Sequence, residues 1–196
     1  MNATLPFILS ATALLAVPGP TNVLLAASGA AIGMRRSLGL IPVAIAGYLI
    51  AVTCLIVAIQ PVAAAHPAIP IASKLVASAY LAWTAVRLWR DGGAVLTAIP
   101  TPATPTRMFL TTLLNPKALI FAFVIFPQTD LAQLASNSAI FAALAAVVGT
   151  GWVALGSLIA HSAPGVATPG YISRVAAVAL ALFAALMASS AVAALT

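Results

Sequence analysis

Val17-Pro18-Gly19-Pro20-Thr21-Asn22 interrupts the first long apolar stretch of the chain, residues 5–28. Proline removes a backbone donor and crowds the preceding turn, so two prolines around a glycine break a helix here. A break inside a membrane span leaves peptide groups without intrahelical partners. Hydrocarbon cannot satisfy them, so they must face protein, water or a ligand. Thr21 and Asn22 follow the break, where a second half-helix begins. Its N-terminus presents N–H groups and the positive end of its dipole to whatever lies near the membrane midplane. The stretch reads as half of a substrate site. A proline kink that only shapes packing is the competing reading, and for a single break it is the stronger one.

Composition places that break in a membrane. Of 196 residues 5% are charged and 63% hydrophobic, with a mean hydropathy of +1.17. Soluble domains carry about 25% charged residues, so this chain has too few polar groups to cover a soluble globule. Apolar stretches recur about six times, near 5–28, 38–59, 71–89, 108–127, 138–160 and 172–195. Each is close to the roughly 20 residues that cross hydrocarbon as a helix. A membrane barrel needs alternating segments of about ten residues. Unbroken runs rich in Ala and Leu instead predict an all-α, polytopic membrane protein of about six transmembrane helices.

The net charge of +6 is no nucleic-acid signal, because the basic residues are scattered at helix ends without a basic run. Cys54 is the one cysteine, which excludes an internal disulfide and a Cys-x-x-Cys redox pair. No Lys or Arg precedes Arg35. The first helix thus lacks the positive n-region of a cleavable signal peptide and is expected to be retained. No nucleotide, metal or haem motif is present, so neither a cofactor nor a metal site is expected.

Arg35 and Arg36 follow the first helix, Arg87, Arg90 and Arg107 flank the third connection, and Arg174 lies in the fifth. The second connection has only His66 and nearby Lys74, and the fourth has Asp130 and no basic residue. The positive-inside rule puts connections one, three and five in the cytoplasm and both termini outside. Trp83 and Trp89, near the Arg-rich end of the third helix, suit an interfacial belt.

The third connection is the longest and carries Gly92, Gly93, Pro100, Pro102 and Pro105, so it reads as a linker, about 91–106, between repeats at about 1–90 and 107–196. With three helices each, the halves enter the membrane from opposite sides, as in inverted-repeat transporters. Helix four should then break as helix one does. It carries Asn115-Pro116-Lys117 well inside its span, and the residue before a proline is pushed out of α geometry. Two breaks at corresponding places point to a midplane site between the repeats, the two motifs side by side at a polar cavity. Lys117 lies about ten residues into its helix, roughly 15 Å deep at 1.5 Å per residue. A lysine there costs several kcal/mol unless paired or wetted, which favours a functional role over snorkelling. For Lys74, a few residues inside its helix, snorkelling suffices.

Ser157 and His161 are four apart on helix five and could suggest an intramembrane hydrolase, but no acid follows and helical neighbours are common. No catalytic residue is assigned. Gly29 and Gly33 form a G-x-x-x-G, and Gly149, Gly151 and Gly156 lie among alanines. Both groups permit close packing, within the chain or between copies in a homo-oligomer.

Three stretches carry a resemblance to the LysE/RhtB family of amino-acid exporters: Pro18-Gly19-Pro20 with Asn22; Lys74 through Ala79-Tyr80-Leu81 to Arg87-Leu88-Trp89; and Asn115-Pro116-Lys117-Ala118 followed by Phe126-Pro127-Gln128. The resemblance implies a bacterial inner-membrane secondary exporter of amino acids or their derivatives, driven by the proton gradient. Two features depart from it. Gly47 is followed by Tyr48 where relatives often have an acidic residue, and Ala77 and Thr111 stand where glycines are expected. No Asp or Glu remains inside any span, so proton coupling has no obvious carboxylate carrier.

The expected substrate-binding set is Pro18, Gly19, Pro20, Thr21, Asn22, Asn115, Pro116 and Lys117. The half-helix after Pro20 and the region of Lys117 would hold a substrate carboxylate, and Asn22 and Asn115 would supply hydrogen bonds. With Lys117 as the fixed charge near the midplane, neutral substrates are expected over cationic ones. A small channel or a membrane scaffold is the alternative, and a hydrolase built on Ser157 and His161 a more distant one.

Overall fold

Proline placement and the ends of the apolar runs delimit the helices. The computed structural model describes residues 4–66, 68–90, 102–126, 131–161 and 169–193, and these residues are helical with no strand. In chain order the helices are α1 Thr4–Ala16, α2 Pro20–Ile32, the single turn α3 Met34–Ser37, α4 Leu40–Ala65 and α5 Ala68–Arg90. They continue with α6 Pro105–Leu113, α7 Lys117–Ile120 running into a π-helical turn Phe121–Ile125, α8 Leu131–His161 and α9 Pro169–Val192. Asp91, Gly92, Gly93, Pro100, Pro127, Gln128 and Asp130 lie outside the described residues.

Pro20 and Pro105 each stand in the first turn of their helix, where a missing N–H costs nothing and the fixed φ suits the helix. Thr104 caps α6, its Oγ1 accepting from the Arg107 amide at 3.2 Å. Gly33 ends α2 at φ +80°, a left-handed value that a side chain would strain. Across 17–19, α1 and α2 meet at 60°, and across 114–116, α6 and the Lys117–Ile125 segment meet at 49°.

Met34–Ala58 and Ala132–His161 are long and apolar enough to cross a membrane, and each bent pair qualifies when taken as one span. The described residues therefore supply two to four membrane-compatible spans. Of the two remaining expected spans, α5 carries Lys74 near its start and Arg87 and Arg90 in its last turn, and α9 contains the shorter apolar stretch Leu180–Val192.

The principal packing partners are α2 with α8, α4 with α6, and α5 with α9. Glycines permit the first two. A Cβ on Gly156 would stand 1.9 Å from the Ala26 carbonyl oxygen, and one on Gly29 would stand 2.2 Å from that of Val153. A Cβ on Gly47 would approach the Phe109 carbonyl oxygen at 3.0 Å. Of the G-x-x-x-G expected to act as a pair, only Gly29 is a contact, because Gly33 has left the helix to make the turn. Gly151 faces open space.

The core between the breaks is aromatic. Phe121 and Phe141 meet edge-on at 4.8 Å, and Tyr48 approaches both rings at 5.7 and 5.9 Å. Edge-to-face pairs of this kind add about 0.5–1.5 kcal/mol beyond their buried area. This cluster holds α4, α8 and the π-helical turn together beside the polar groups described next.

Candidate functional site

An α-helical carbonyl accepts from the amide four residues on. Pro18 and Pro20 have no amide, so the carbonyls of Leu14 and Ala16 lose their partners by sequence alone. The chain supplies replacement donors from side chains. Asn22 Nδ2 donates to the carbonyls of Leu15 and Val17, both at 2.7 Å. Lys117 Nζ donates to the Leu14 carbonyl at 3.0 Å and also to that of Val17. The α1 C-terminus, a concentration of negative dipole ends, is thus closed by an amide from α2 and an ammonium from the other half of the chain. Lys117 is 2% exposed and Asn22 5%.

A second polar strand of contacts joins the same two regions. Asn115 Nδ2 donates to Thr21 Oγ1 at 2.9 Å and to the Tyr48 hydroxyl at 3.0 Å. Thr112 Oγ1 donates to the Met108 carbonyl at 2.8 Å. That leaves Thr21 to donate to Thr112 across 3.2 Å. Asn115 Oδ1 accepts from the Lys117 amide at 3.0 Å, which starts α7 after the break. The amide that Pro116 lacks would have bonded the Thr112 carbonyl, and the Asn115 amide takes that place at 3.1 Å. Tyr48 therefore serves as an acceptor in this network.

Thr21, Asn22, Asn115 and Lys117 come together, with Pro116 beside them half-buried. They do not line an open cavity as expected. Their hydrogen-bonding atoms are turned onto each other and onto the carbonyls of α1. Pro18, Gly19 and Pro20 do line a cleft of about 350 Å³, whose far wall is the face of α5 bearing Tyr80, Trp83, Thr84 and Arg87. Gly19, in the wall of this cleft, lies against the Lys117 side chain. Its Cβ position is 3.0 Å from Lys117 Cε and 3.2 Å from Nζ. The Arg87 guanidinium sits over the Trp83 ring, 5.0 Å from its centroid. That contact is a cation–π pair.

Tyr80, Trp83, Thr84 and Arg87 were not among the expected site residues. Their signal was available as the spacing i, i+3, i+4, i+7, which puts them on one helix face. Thr112 had no comparable signal, because only its partner Thr21 distinguishes it from any helical threonine. Ser157 and His161 do not form a nucleophile–base pair. His161 Nδ1 lies 2.6 Å from the Ser157 main-chain carbonyl, not from its hydroxyl.

No solved structure matches the chain. Over 138 residues it is 33% identical to a Vibrio cholerae serotype O1 protein described as an uncharacterized membrane protein, and the match covers 65% of this chain and 65% of that relative. The LysE type translocator model matches residues 12–195, a stretch that contains both helix breaks, the cleft and α5, and the chain belongs to the LysE type translocator family.

Proposed function

We propose that the protein is a secondary exporter of neutral amino acids or small amino-acid derivatives across the bacterial cytoplasmic membrane, working by alternating access. Membership of a translocator family gives the transport class. One observation carries the rest: two interrupted helices, one from each half, meet through Lys117, Asn115, Thr21 and Asn22. In transporters built from inverted repeats, discontinuous helices meet at the substrate site. The packing pairs support the same reading. The first long element of one half packs on the second of the other in both directions, α2 on α8 and α4 on α6, and the third elements, α5 and α9, pack together. A pseudo-two-fold between the halves produces this exchange. With six spans, three to a half, its axis lies in the membrane plane and the halves are inverted.

In this reading the Lys117 ammonium and the Asn115 and Asn22 amides, which now hold the breaks closed, exchange some of those bonds for the substrate as the halves rock. Lys117 and the start of α2 attract a carboxylate and repel a second cation, so lysine and arginine are poor substrates. Both termini lie outside, and the proton gradient drives export. The test is counterflow and efflux of labelled threonine, homoserine, leucine, lysine and arginine from vesicles reconstituted with the purified protein. Saturable counterflow with threonine or leucine ahead of lysine is expected. Unsaturable flux means a channel, and lysine or arginine leaving fastest overturns the electrostatic argument.

A further inference from the structure

We propose that the groove between α5 and α9 holds an acyl chain of an anionic phospholipid, with Arg90 and Arg174 at its mouth receiving the phosphate. The inference goes beyond the transport reading and requires only that these two helices lie in the bilayer.

Two cavities follow the seam between α5 and α9. One, of about 240 Å³, is lined from Ala85 to Arg90 and from Ala177 to Ala181. The other, of about 390 Å³, is lined from Ser78 to Val86 and from Ala181 to Ala188. Both include Ala85, Val86 and Ala181, so they form one groove. Rising numbers on α5 meet falling numbers on α9, so the helices run antiparallel. Arg90 and Arg174 therefore stand at the same end, where Arg174 reaches Trp89.

Alanine makes the groove. Ala79, Ala82, Ala181 and Ala185 are exposed along it, and Ala85 and Ala184 are buried in its floor. A methyl group is too short to fill the space between two helices, which leaves room for a flexible apolar chain. From residue 78 to residue 90 the groove runs about 18 Å at 1.5 Å per residue. One leaflet's hydrocarbon is about 15 Å deep, half of the roughly 30 Å core. An acyl chain laid along the groove thus ends its hydrocarbon near Trp89 and Arg90. Trp89 is 55% exposed there, as a tryptophan at the headgroup boundary is.

Charge at that end selects the lipid. Arg90 lines the groove and is exposed. The exposed Arg174 guanidinium lies over the Trp89 ring, 5.9 Å from its centroid. A cation–π contact uses the face of the guanidinium and leaves its N–H edge to bond a phosphate. Asp91 follows Arg90 in the chain and Arg87 precedes it by one turn, so residues 87–91 with Arg174 carry a net charge of +2. A positive mouth between membrane helices recognises anionic headgroups. Each arginine near an anionic surface adds about fivefold to affinity, so the pair gives an anionic lipid a preference of about 25-fold over a zwitterionic one.

The experiment uses the full chain in phosphatidylcholine vesicles containing one-tenth phosphatidylglycerol, with bromine on the acyl chains of one lipid or the other. Trp89 is the reporter in a Trp83→Phe background, because Trp152 is buried in the core. Brominated phosphatidylglycerol should quench Trp89 with a relative binding constant about 25-fold above that of brominated phosphatidylcholine. Arg90→Gln and Arg174→Gln should each lower that ratio about fivefold, and together bring it to about one. Arg35→Gln with Arg36→Gln removes the same charge from another connection and should leave the ratio unchanged. Ala181→Phe, which fills the groove where its two parts join, should reduce quenching with both arginines intact. Each variant's monodispersity on gel filtration separates lost binding from lost fold. Equal quenching by the two lipids, or an equal loss from the Arg35 and Arg36 changes, reduces the effect to diffuse attraction and overturns the site. Quenching that survives Ala181→Phe overturns the groove. Displacement by inorganic phosphate overturns the lipid as occupant, and shielding of Trp89 from both brominated lipids does so in favour of a second copy of the chain.

Discussion

Replacing Lys117 with methionine and Asn22 with leucine distinguishes two ways of closing a broken helix. Lys117→Met removes two charge-assisted bonds, to Leu14 and Val17. Val17 keeps Asn22 as a partner, but the Leu14 carbonyl faces Pro18 and has no backbone donor four residues on. An unsatisfied buried carbonyl costs about 1–3 kcal/mol. Against this, the substitution removes an ammonium that is 2% exposed and has no acid among the described residues to pair with. The effective penalty for burying such an ion is several kcal/mol. The terms oppose each other, and the expected net change is within about 1–2 kcal/mol of zero, on the stabilising side if methionine packs well. Asn22→Leu has no such offset. It strips the Leu15 carbonyl of its side-chain donor and removes one of two from Val17, for an expected loss of about 2–4 kcal/mol. The assay is thermal unfolding in a single detergent, followed by intrinsic fluorescence. At roughly 2–4 °C per kcal/mol for a chain of this size, Asn22→Leu should melt about 4–16 °C below the parent and Lys117→Met within a few degrees of it. Counterflow should be lost in both. If Lys117→Met melts lower than Asn22→Leu, or transports normally, then the ammonium is a structural strut and its buried charge is not held for the substrate.

Gly156→Ala should destabilise strongly, by about 1–3 kcal/mol or more through overpacking, because the new Cβ would start 1.9 Å from the Ala26 carbonyl oxygen. Gly151→Ala, with nothing within 4 Å, should instead gain up to about 1 kcal/mol of helix propensity, and the pair is read by melting in one detergent. Ser28→Ala removes the acceptor for the Ala103 amide at 3.0 Å and should cost about 1–3 kcal/mol, measured the same way, with Ser28→Thr partly restoring it. For orientation, a cysteine placed at position 92 in a Cys54→Ala background should react with an impermeant maleimide only after the cytoplasmic side is opened, and cysteines at position 2 and after Thr196 should react on intact cells. Labelling of position 92 on intact cells inverts the topology.

Much of this molecule could be read along the chain, because local covalent rules act on neighbours. Proline lacks an amide wherever it stands, so the breaks at Pro18, Pro20 and Pro116 and the orphaned carbonyls of Leu14 and Ala16 follow from spacing alone. Hydropathy marked the apolar runs, and Lys117 stood out as a charge set deep among them. What could not be read was which donor would reach which carbonyl. Lys117 lies about a hundred residues from Leu14 and Val17, and any of several buried polar groups could have met them. Packing made the choice, by bringing α2 against α8 through Gly29 and Gly156, and α4 against α6 beside Gly47. The same pairing turned the expected open site into a closed hydrogen-bonded network. It also set the helix face of Tyr80, Trp83, Thr84 and Arg87 across a cleft from residues 18–20, a juxtaposition that the spacing of those residues along the chain does not give. Helix periodicity says which residues share a face. Only the contacts between helices say what that face looks at.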